Sequence, residues 1–414
     1  MCVAKSPALK GEVHTSGAKN SALPLLFSTL LCDGEHVFHN VPQLMDIHST
    51  KSLLESFNCE VSMSGDVAKI YVKPPAKVEA QYDFVRKMRA SILCLGPLLS
   101  RYGEAVVSLP GGCAIGSRPI NLHLEGLETL GAEISVEKGY VIAKCKKLKG
   151  ERISFENPTV GGTENLMMAA TLAEGETIIE NAAKEPEIVD LADYLRKMGA
   201  KIEGDGTSII KIEGVDQLRP SEHRVIPDRI EAGTLLIAGA ITGGEVTVES
   251  CVPSHLDALI YKLKESGFEI YQEKESITIK GRNNWGGVDI TTAPHPAFPT
   301  DLQAQFMALM AVAEGTSVIT ESVFENRFMH VQELVRMNAN ITPKTRVAIV
   351  RGKPGCLQGA PVMATDLRAS ACLVLAGLVA EGETTVNRIY HLDRGYEKLE
   401  EKLTKLGAKI QRVK

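Results

Sequence analysis

Six stretches of the chain are apolar on nearly every side: KNSALPLLFSTLL, RASILCLGPLLS, TENLMMAATLAEG, RIEAGTLLIAGAI, DLQAQFMALMAVAEG and LRASACLVLAGLVAEG. A helix without a polar face belongs in an interior, so each stretch predicts a buried helix. Each runs up to a glycine: Gly34, Gly103, Gly175, Gly244, Gly315 and Gly382. Alternation then takes over, in EHVFHN, EAVVSL, ETIIEN, EVTVES, TSVITE and ETTVNR, which is the period of a strand with one covered face. A second helix follows, with an apolar stripe and a charged face, as in EIVDLADYLRKMGA and GYEKLEEKLTKLGA. These second helices are predicted to form an outer layer against solvent. They end at Asn58, Gly131, Gly199, Gly267, Asn338 and Gly407, residue types that tolerate the left-handed conformation at a helix C-terminus.

The order helix, strand, helix, strand therefore recurs six times at a period of roughly 70 residues. Within a unit the glycine and the second helix end lie about 24 residues apart, and about four more in the second unit. The surplus falls in PGGCAIGSRP, from Pro110 to Pro119. A chain of 414 residues exceeds the usual size of one core, so two domains are expected. Six units divide into two sets of three, with the break near Ile226 to Arg229 and no Pro/Gly/Ser-rich linker. Each domain is then three helix–sheet units around a central cluster of apolar helices.

Composition removes several classes of function. A net charge of −5 offers nothing to nucleic acid or an anionic membrane. Nine cysteines without a Cys-x-x-Cys pair point to a reducing compartment. The opening MCVAKSPALKGEV has no apolar core of signal-peptide length, and no apolar run reaches the roughly 20 residues of a membrane span. The expectation is a cytoplasmic protein without membrane insertion. The ten histidines show no His-x-x-x-His pair and no cluster with the cysteines, so no metal is expected, and no glycine-rich nucleotide fingerprint is present.

The starts of the buried helices carry the chemistry. About 14 residues before each glycine stand Lys19, Arg89, Gly161, Arg229, Asp301 and Arg368. Cations are the wrong sign for a helix N-terminus, whose dipole is already positive. Four of them there repel one another unless an anion shares the space, which predicts a polyanionic ligand. Arg118, Arg327 and Arg394 lie in loops between a strand and a second helix and add to that field. Cys113 sits in the glycine-rich surplus rather than in an apolar helix, as Cys32, Cys94 and Cys372 do. With Arg118 to lower its proton affinity, it is the candidate for proton transfer or covalent chemistry.

The segments SGAKNSALP, MRASIL, LPGGCAIGSRPINLH, NAAKEPEIVD, PDRIEAGT, TTAPHPAFPTDLQAQF, FENRFMH, MATDLRASA and RIYHLDRGYE closely resemble the UDP-N-acetylglucosamine enolpyruvyl transferases of the EPSP synthase family. The resemblance covers almost the whole chain. It implies an α/β fold, the two-domain inverted (inside-out) α/β barrel, with buried central helices and outer sheets and helices. The implied domains are residues 19–227 and residues 1–18 with 228–414.

The implied reaction transfers the enolpyruvyl group of phosphoenolpyruvate to the 3-hydroxyl of UDP-N-acetylglucosamine, the first committed step towards peptidoglycan. The implied partners are these two small molecules; no cofactor and no obligate protein partner is indicated. By the same resemblance Cys113 is the general acid, able also to attack phosphoenolpyruvate and to be alkylated by the epoxide fosfomycin, and Asp301 is the base near the sugar hydroxyl. Lys19, Arg118 and Arg394 match residues around the phosphate, and Arg327 and Arg368 those at the carboxylate. Asn20 matches a sugar contact and Arg89 a residue near the nucleotide end. Arg118, Pro119, Ile120, Asn121 and Leu122, with Thr159, Val160, Gly161 and Val323, match the nucleotide surface, and Asp366 lines the reaction centre. Asn121 departs from the family's usual Asp, keeping an acceptor without the charge. The shikimate-pathway enolpyruvyl transferases share the implied fold but lack the cysteine loop. RNA phosphate cyclases need a histidine motif not found here, and a non-catalytic sugar-nucleotide binder would have no use for Cys113 and Asp301.

Overall fold

The computed structural model describes residues 1–86, 88–109 and 120–413. Two compact units emerge: one joins Met1–Ser16 to the chain from Pro227 onward, and the other runs from Gly17 to Ile226. The described residues form six four-stranded sheets, three in each unit.

The repeat is longer than the sequence pattern indicates. In the third copy the strand Arg152–Ser154 leads into the buried helix Val160–Ala170, and the strand Glu176–Glu180 lies parallel to it. The second helix Pro186–Met198 follows, and then the hairpin of Lys201–Glu203 with Ile209–Glu213 pairs back onto the central strand. The order helix, strand, helix, strand thus lacks a leading strand and one arm of a hairpin. The missed strands are three to five residues long, too short for a period to show. In the second copy the hairpin turns on Lys138 and Gly139, both at positive φ (51° and 81°), the pair of conformations a tight turn demands.

Each unit closes on itself. Glu222–Arg224 runs parallel to Gly34–His39, so the end of the middle unit completes the sheet of its own first copy. In the other unit Lys10–His14 runs parallel to Glu245–Glu249. The strand Cys2–Ala4 lies between Glu383–Asn387 and Lys409–Gln411, where the other copies place a hairpin arm.

The first helices are interior as expected. Eight of ten residues are buried in Lys19–Ser28, and eleven of thirteen in Leu367–Val379. Two begin as 3-10 turns: Arg89–Cys94 before Leu95–Tyr102, and Thr300–Leu302 before Gln303–Ala311. Pro97, which has no N–H to donate, is tolerated because it falls in the first α turn. All six second-helix ends take positive φ, from 67° at Asn58 to 108° at Gly199. The two asparagines also anchor the turn, donating from Nδ2 to the carbonyls of Pro74 (3.0 Å) and Cys356 (2.9 Å).

One second helix departs from the outer-layer expectation. Pro186–Met198 buries nine of its thirteen residues, Glu187 and Asp190 among them. It packs against both Lys19–Ser28 and Val160–Ala170. Asp190 is accommodated because its carboxylate accepts from the Ser21 hydroxyl, from His223 Nε2 (2.8 Å) and from the Ile226 N–H (3.3 Å). No helix among the described residues is long and apolar enough to cross a membrane.

Candidate active site

The helix-start positions fall where the spacing puts them. Lys19 and Arg229 are the first residues of their helices, Arg89 opens its 3-10 turn, Gly161 and Arg368 are second, and Asp301 lies within its 3-10 turn. Two of the helix-start cations have a carboxylate of the protein beside them: Arg368 pairs with Asp301, and Lys19 with Asp46. Lys19 Nζ stands 3.4 Å from the carboxylate of Asp46, whose side chain is 5% exposed. Asp46 lies in the first turn of Met45–Ser56 and was not foreseen; a partner 27 residues away leaves no periodic trace.

Within residues 17–226 one asparagine joins three of the segments that carry candidates. Asn165 Nδ2 donates to the Ile92 carbonyl (3.2 Å) and to His123 Nδ1 (3.1 Å), and its Oδ1 accepts from the Gly96 N–H (2.8 Å). Asn165 therefore ties the Arg89 turn and the helix Asn121–Thr129 to Val160–Ala170, which begins at the Thr159–Gly161 segment. Gly96 allows the approach, since a Cβ there would lie 2.4 Å from Asn165 Oδ1. Thr159 caps its helix by accepting from the Gly162 N–H (3.2 Å). His123 is held neutral, its pKa lowered to about 4 by burial and then by the Arg89 charge. Its ring would stand 3.3 Å from a Cβ at Gly161. Asn20, Ile120, Leu122 and Val160 are half-buried, whereas Asn121 is exposed and donates to Glu125 Oε1 (3.2 Å). Cys113, Arg118 and Pro119 lie outside the described residues.

In the other unit a single carboxylate spans two guanidiniums. Asp301 Oδ1 accepts from Arg327 Nη2 at 3.0 Å and Oδ2 from Arg368 Nη2 at 2.8 Å. The arginine side chains are 3% and 5% exposed, Asp301 24%. Arg368 Nη1 is buried without a hydrogen-bond partner among the described residues. Burial opposes the charge of Arg368, but Asp301, then Tyr396 and Asp228, outweigh it and raise its pKa. The guanidinium also lies over the Tyr396 ring, 5.4 Å from its centre, as Arg327 lies over Phe324 at 5.4 Å.

Below this trio runs a polar seam within the apolar helices. Gln305 Nε2 lies within hydrogen-bond reach of the Asp301 carbonyl (3.0 Å), Thr234 Oγ1 (3.1 Å) and Tyr396 OH (2.9 Å). These were missed, although a glutamine or threonine inside an all-apolar helix is itself a signal of a polar partner. Asp366 caps Leu367–Val379, its Oδ1 accepting from the N–H groups of Arg368 (2.8 Å) and Ala369 (3.0 Å). Arg394 ends the 3-10 segment Ile389–Arg394 and is half-buried, and Val323 is 37% exposed.

Six α/β copies with buried helices and a cationic set at the helix starts define an enolpyruvyl-transferase fold. The chain belongs to the EPSP synthase (3-phosphoshikimate 1-carboxyvinyltransferase) family, whose model matches residues 3–403. Among relatives, the UDP-N-acetylglucosamine 1-carboxyvinyltransferase of Bdellovibrio bacteriovorus is 68% identical over 413 residues, covering 100% of both chains. The protein of that name from Thermodesulfovibrio yellowstonii is 58% identical over 407 residues, 98% of this chain and 97% of the relative. Among solved structures, the enolpyruvyl transferase NikO from Streptomyces tendae superposes with a TM-score of 0.89 at 25% identity, over 99% of this chain and 98% of that one. An EPSP synthase from Acinetobacter baumannii superposes at 0.76 with 20% identity, over 98% and 97% of the two chains, a likeness of fold. The architecture is the inside-out α/β barrel.

Proposed function

We infer that the chain transfers the enolpyruvyl group of phosphoenolpyruvate to the 3-hydroxyl of UDP-N-acetylglucosamine, with release of phosphate, in peptidoglycan precursor synthesis. The full-length identity of 68% to a transferase of that name supports the substrate pair. The observation that carries the chemistry is the Asp301 bridge between Arg327 and Arg368. Two almost fully buried guanidiniums, with Arg368 Nη1 unpartnered among the described residues, are built to take up a further planar anion.

The sugar hydroxyl oxygen adds to C2 of phosphoenolpyruvate while Asp301 accepts the hydroxyl proton and Cys113 delivers a proton to C3. Loss of a proton from C3 then expels phosphate and restores the double bond. Lys19, Arg118 and Arg394 balance the phosphate charge, and Arg327 with Arg368 hold the carboxylate. An incoming carboxylate competes with Asp301 for the same donors. As it takes them, Asp301 loses two counter-charges and becomes a stronger base. The substrate that needs the base thereby helps to release it. Asn20, Arg89, Ile120 to Leu122, Thr159 to Gly161 and Val323 serve the sugar nucleotide, and Asp366 stands at the head of the Arg368 helix.

The test is phosphate release from phosphoenolpyruvate with UDP-N-acetylglucosamine as acceptor, and with 3-phosphoshikimate in its place. Release that depends on the sugar nucleotide is expected. Release without it, or only with 3-phosphoshikimate, overturns the assignment.

A further inference from the structure

The carboxylate of Glu321, at the end of the strand Gly315–Thr320, is 1% exposed. Four donors converge on it. Oε1 accepts from the Thr292 hydroxyl (2.8 Å) and from the N–H groups of Val323 (3.0 Å) and Phe324 (3.2 Å). Oε2 accepts from the Thr300 hydroxyl at 2.8 Å. Thr292 in turn accepts from the Ser322 N–H (3.1 Å).

The geography of those donors matters more than their number. Thr300 is the residue before Asp301 and opens the same 3-10 turn. Val323 and Phe324 lead into Arg327, and the Phe324 ring underlies the Arg327 guanidinium. One carboxylate thus ties the segment bearing Asp301 to the segment bearing its partner Arg327. A loop held by a fully hydrogen-bonded buried group keeps its side chains within the few tenths of an ångström that transfer chemistry requires.

We propose that Glu321 is a positioning residue for enolpyruvyl transfer, fixing the Asp301 turn against the Val323–Arg327 segment. The proposal rests on the reading of Asp301 as the base. Its acceptor-only carboxylate suits four converging donors. An amide keeps the shape and one acceptor oxygen, and the Thr300 hydroxyl can rotate to accept from the new NH₂.

The test measures kcat, both KM values and the thermal midpoint for Glu321→Ala, Glu321→Gln, Thr300→Val and Asp301→Asn, and for Thr300→Val combined with Glu321→Gln. Glu321→Ala is expected to lower kcat by about 10- to 100-fold, the scale of a displaced reacting group. Glu321→Gln should recover activity to within about fivefold of the parent. Thr300→Val, which removes one hydroxyl and keeps the volume, should lower kcat several-fold. Adding Glu321→Gln to it should cost little more, because Thr300→Val has already broken the link the two side chains share. If Glu321→Ala does not fold, the milder pair still decides. Parental kcat in Thr300→Val with only a lower midpoint, or losses in the double variant that simply multiply, overturns the positioning role. Near-parental turnover in Asp301→Asn overturns the base assignment, and this proposal with it. An inactive Asp301→Asn beside a fully active Glu321→Ala overturns this proposal alone.

Discussion

Replacing Arg368 by alanine is expected to raise the KM for phosphoenolpyruvate by about 10- to 150-fold. The figure follows from the site. The Arg368 side chain is 5% exposed and already makes a 2.8 Å charge-assisted bond to Asp301. A hydrogen bond to a charged group contributes roughly 1.5–3 kcal/mol net, and each 1.4 kcal/mol is about tenfold in affinity. Solvent screening discounts this little, because the guanidinium is out of water. The KM for UDP-N-acetylglucosamine should stay within about twofold, since the loss falls on the carboxylate. Lysine should restore part of the effect, keeping the charge but not the planar fork. Asp301 keeps Arg327 at 3.0 Å and is 24% exposed, so it is not stranded and the fold should survive. The assay is initial-rate phosphate release across phosphoenolpyruvate concentration, with calorimetric binding to separate affinity from turnover. An unchanged dependence on phosphoenolpyruvate, or a loss confined to the sugar nucleotide, would refute the reasoning.

Cys113→Ala should abolish turnover while UDP-N-acetylglucosamine still binds by calorimetry, and fosfomycin should add its mass to the parent and not to that variant; retained turnover removes the acid role. Burial lowers the pKa of His36, His123 and His330 to about 4 each, so the unfolded chain binds more protons between pH 6.5 and 4. Their contribution, on the order of 3 kcal/mol each, is complete above pH 6.5 and eroded as pH falls towards 4; denaturant titrations at pH 7 and 5 that agree would contradict this. Glu164 shows the opposite sign. Burial first, then Glu187 and Glu185, raise its pKa well above 4.5, so its cost to stability appears as pH rises through the folded value. Glu164→Gln should therefore melt higher than the parent at pH 8 and equal it below pH 4.5; a lower midpoint at pH 8 counts against buried charge repulsion there.

Local signals made the helix framework legible. An apolar stretch with no polar face needs no distant partner to declare itself, and left-handed caps at Gly or Asn declare themselves singly. All six second-helix ends obeyed them. The short hairpin arm Lys201–Glu203 has too few residues to show a period, and its identity comes from pairing with Ile209–Glu213. The site divided in the same way. Lys19, Arg89, Asp301 and Arg368 stand out in the sequence because they share one register of the repeat. Asp46, Glu321 and Tyr396 matter only through what they touch, and nothing in their own neighbourhoods marks them, whereas Asn165 is marked as a polar residue inside an apolar helix. Asp190 is the sharpest case: a charged face on a helical wheel reads as solvent, yet Ser21, His223 and Ile226 turn it inward.

The strand Cys2–Ala4 has a consequence for biosynthesis. Its neighbours are Glu383–Asn387 and Lys409–Gln411, both translated long after it. During synthesis the strand leaves the ribosome with no sheet to join, while the chain from Gly17 to Ile226 can finish folding behind it. It stays an unpaired edge until those partners emerge, the interval in which a chaperone has most to protect.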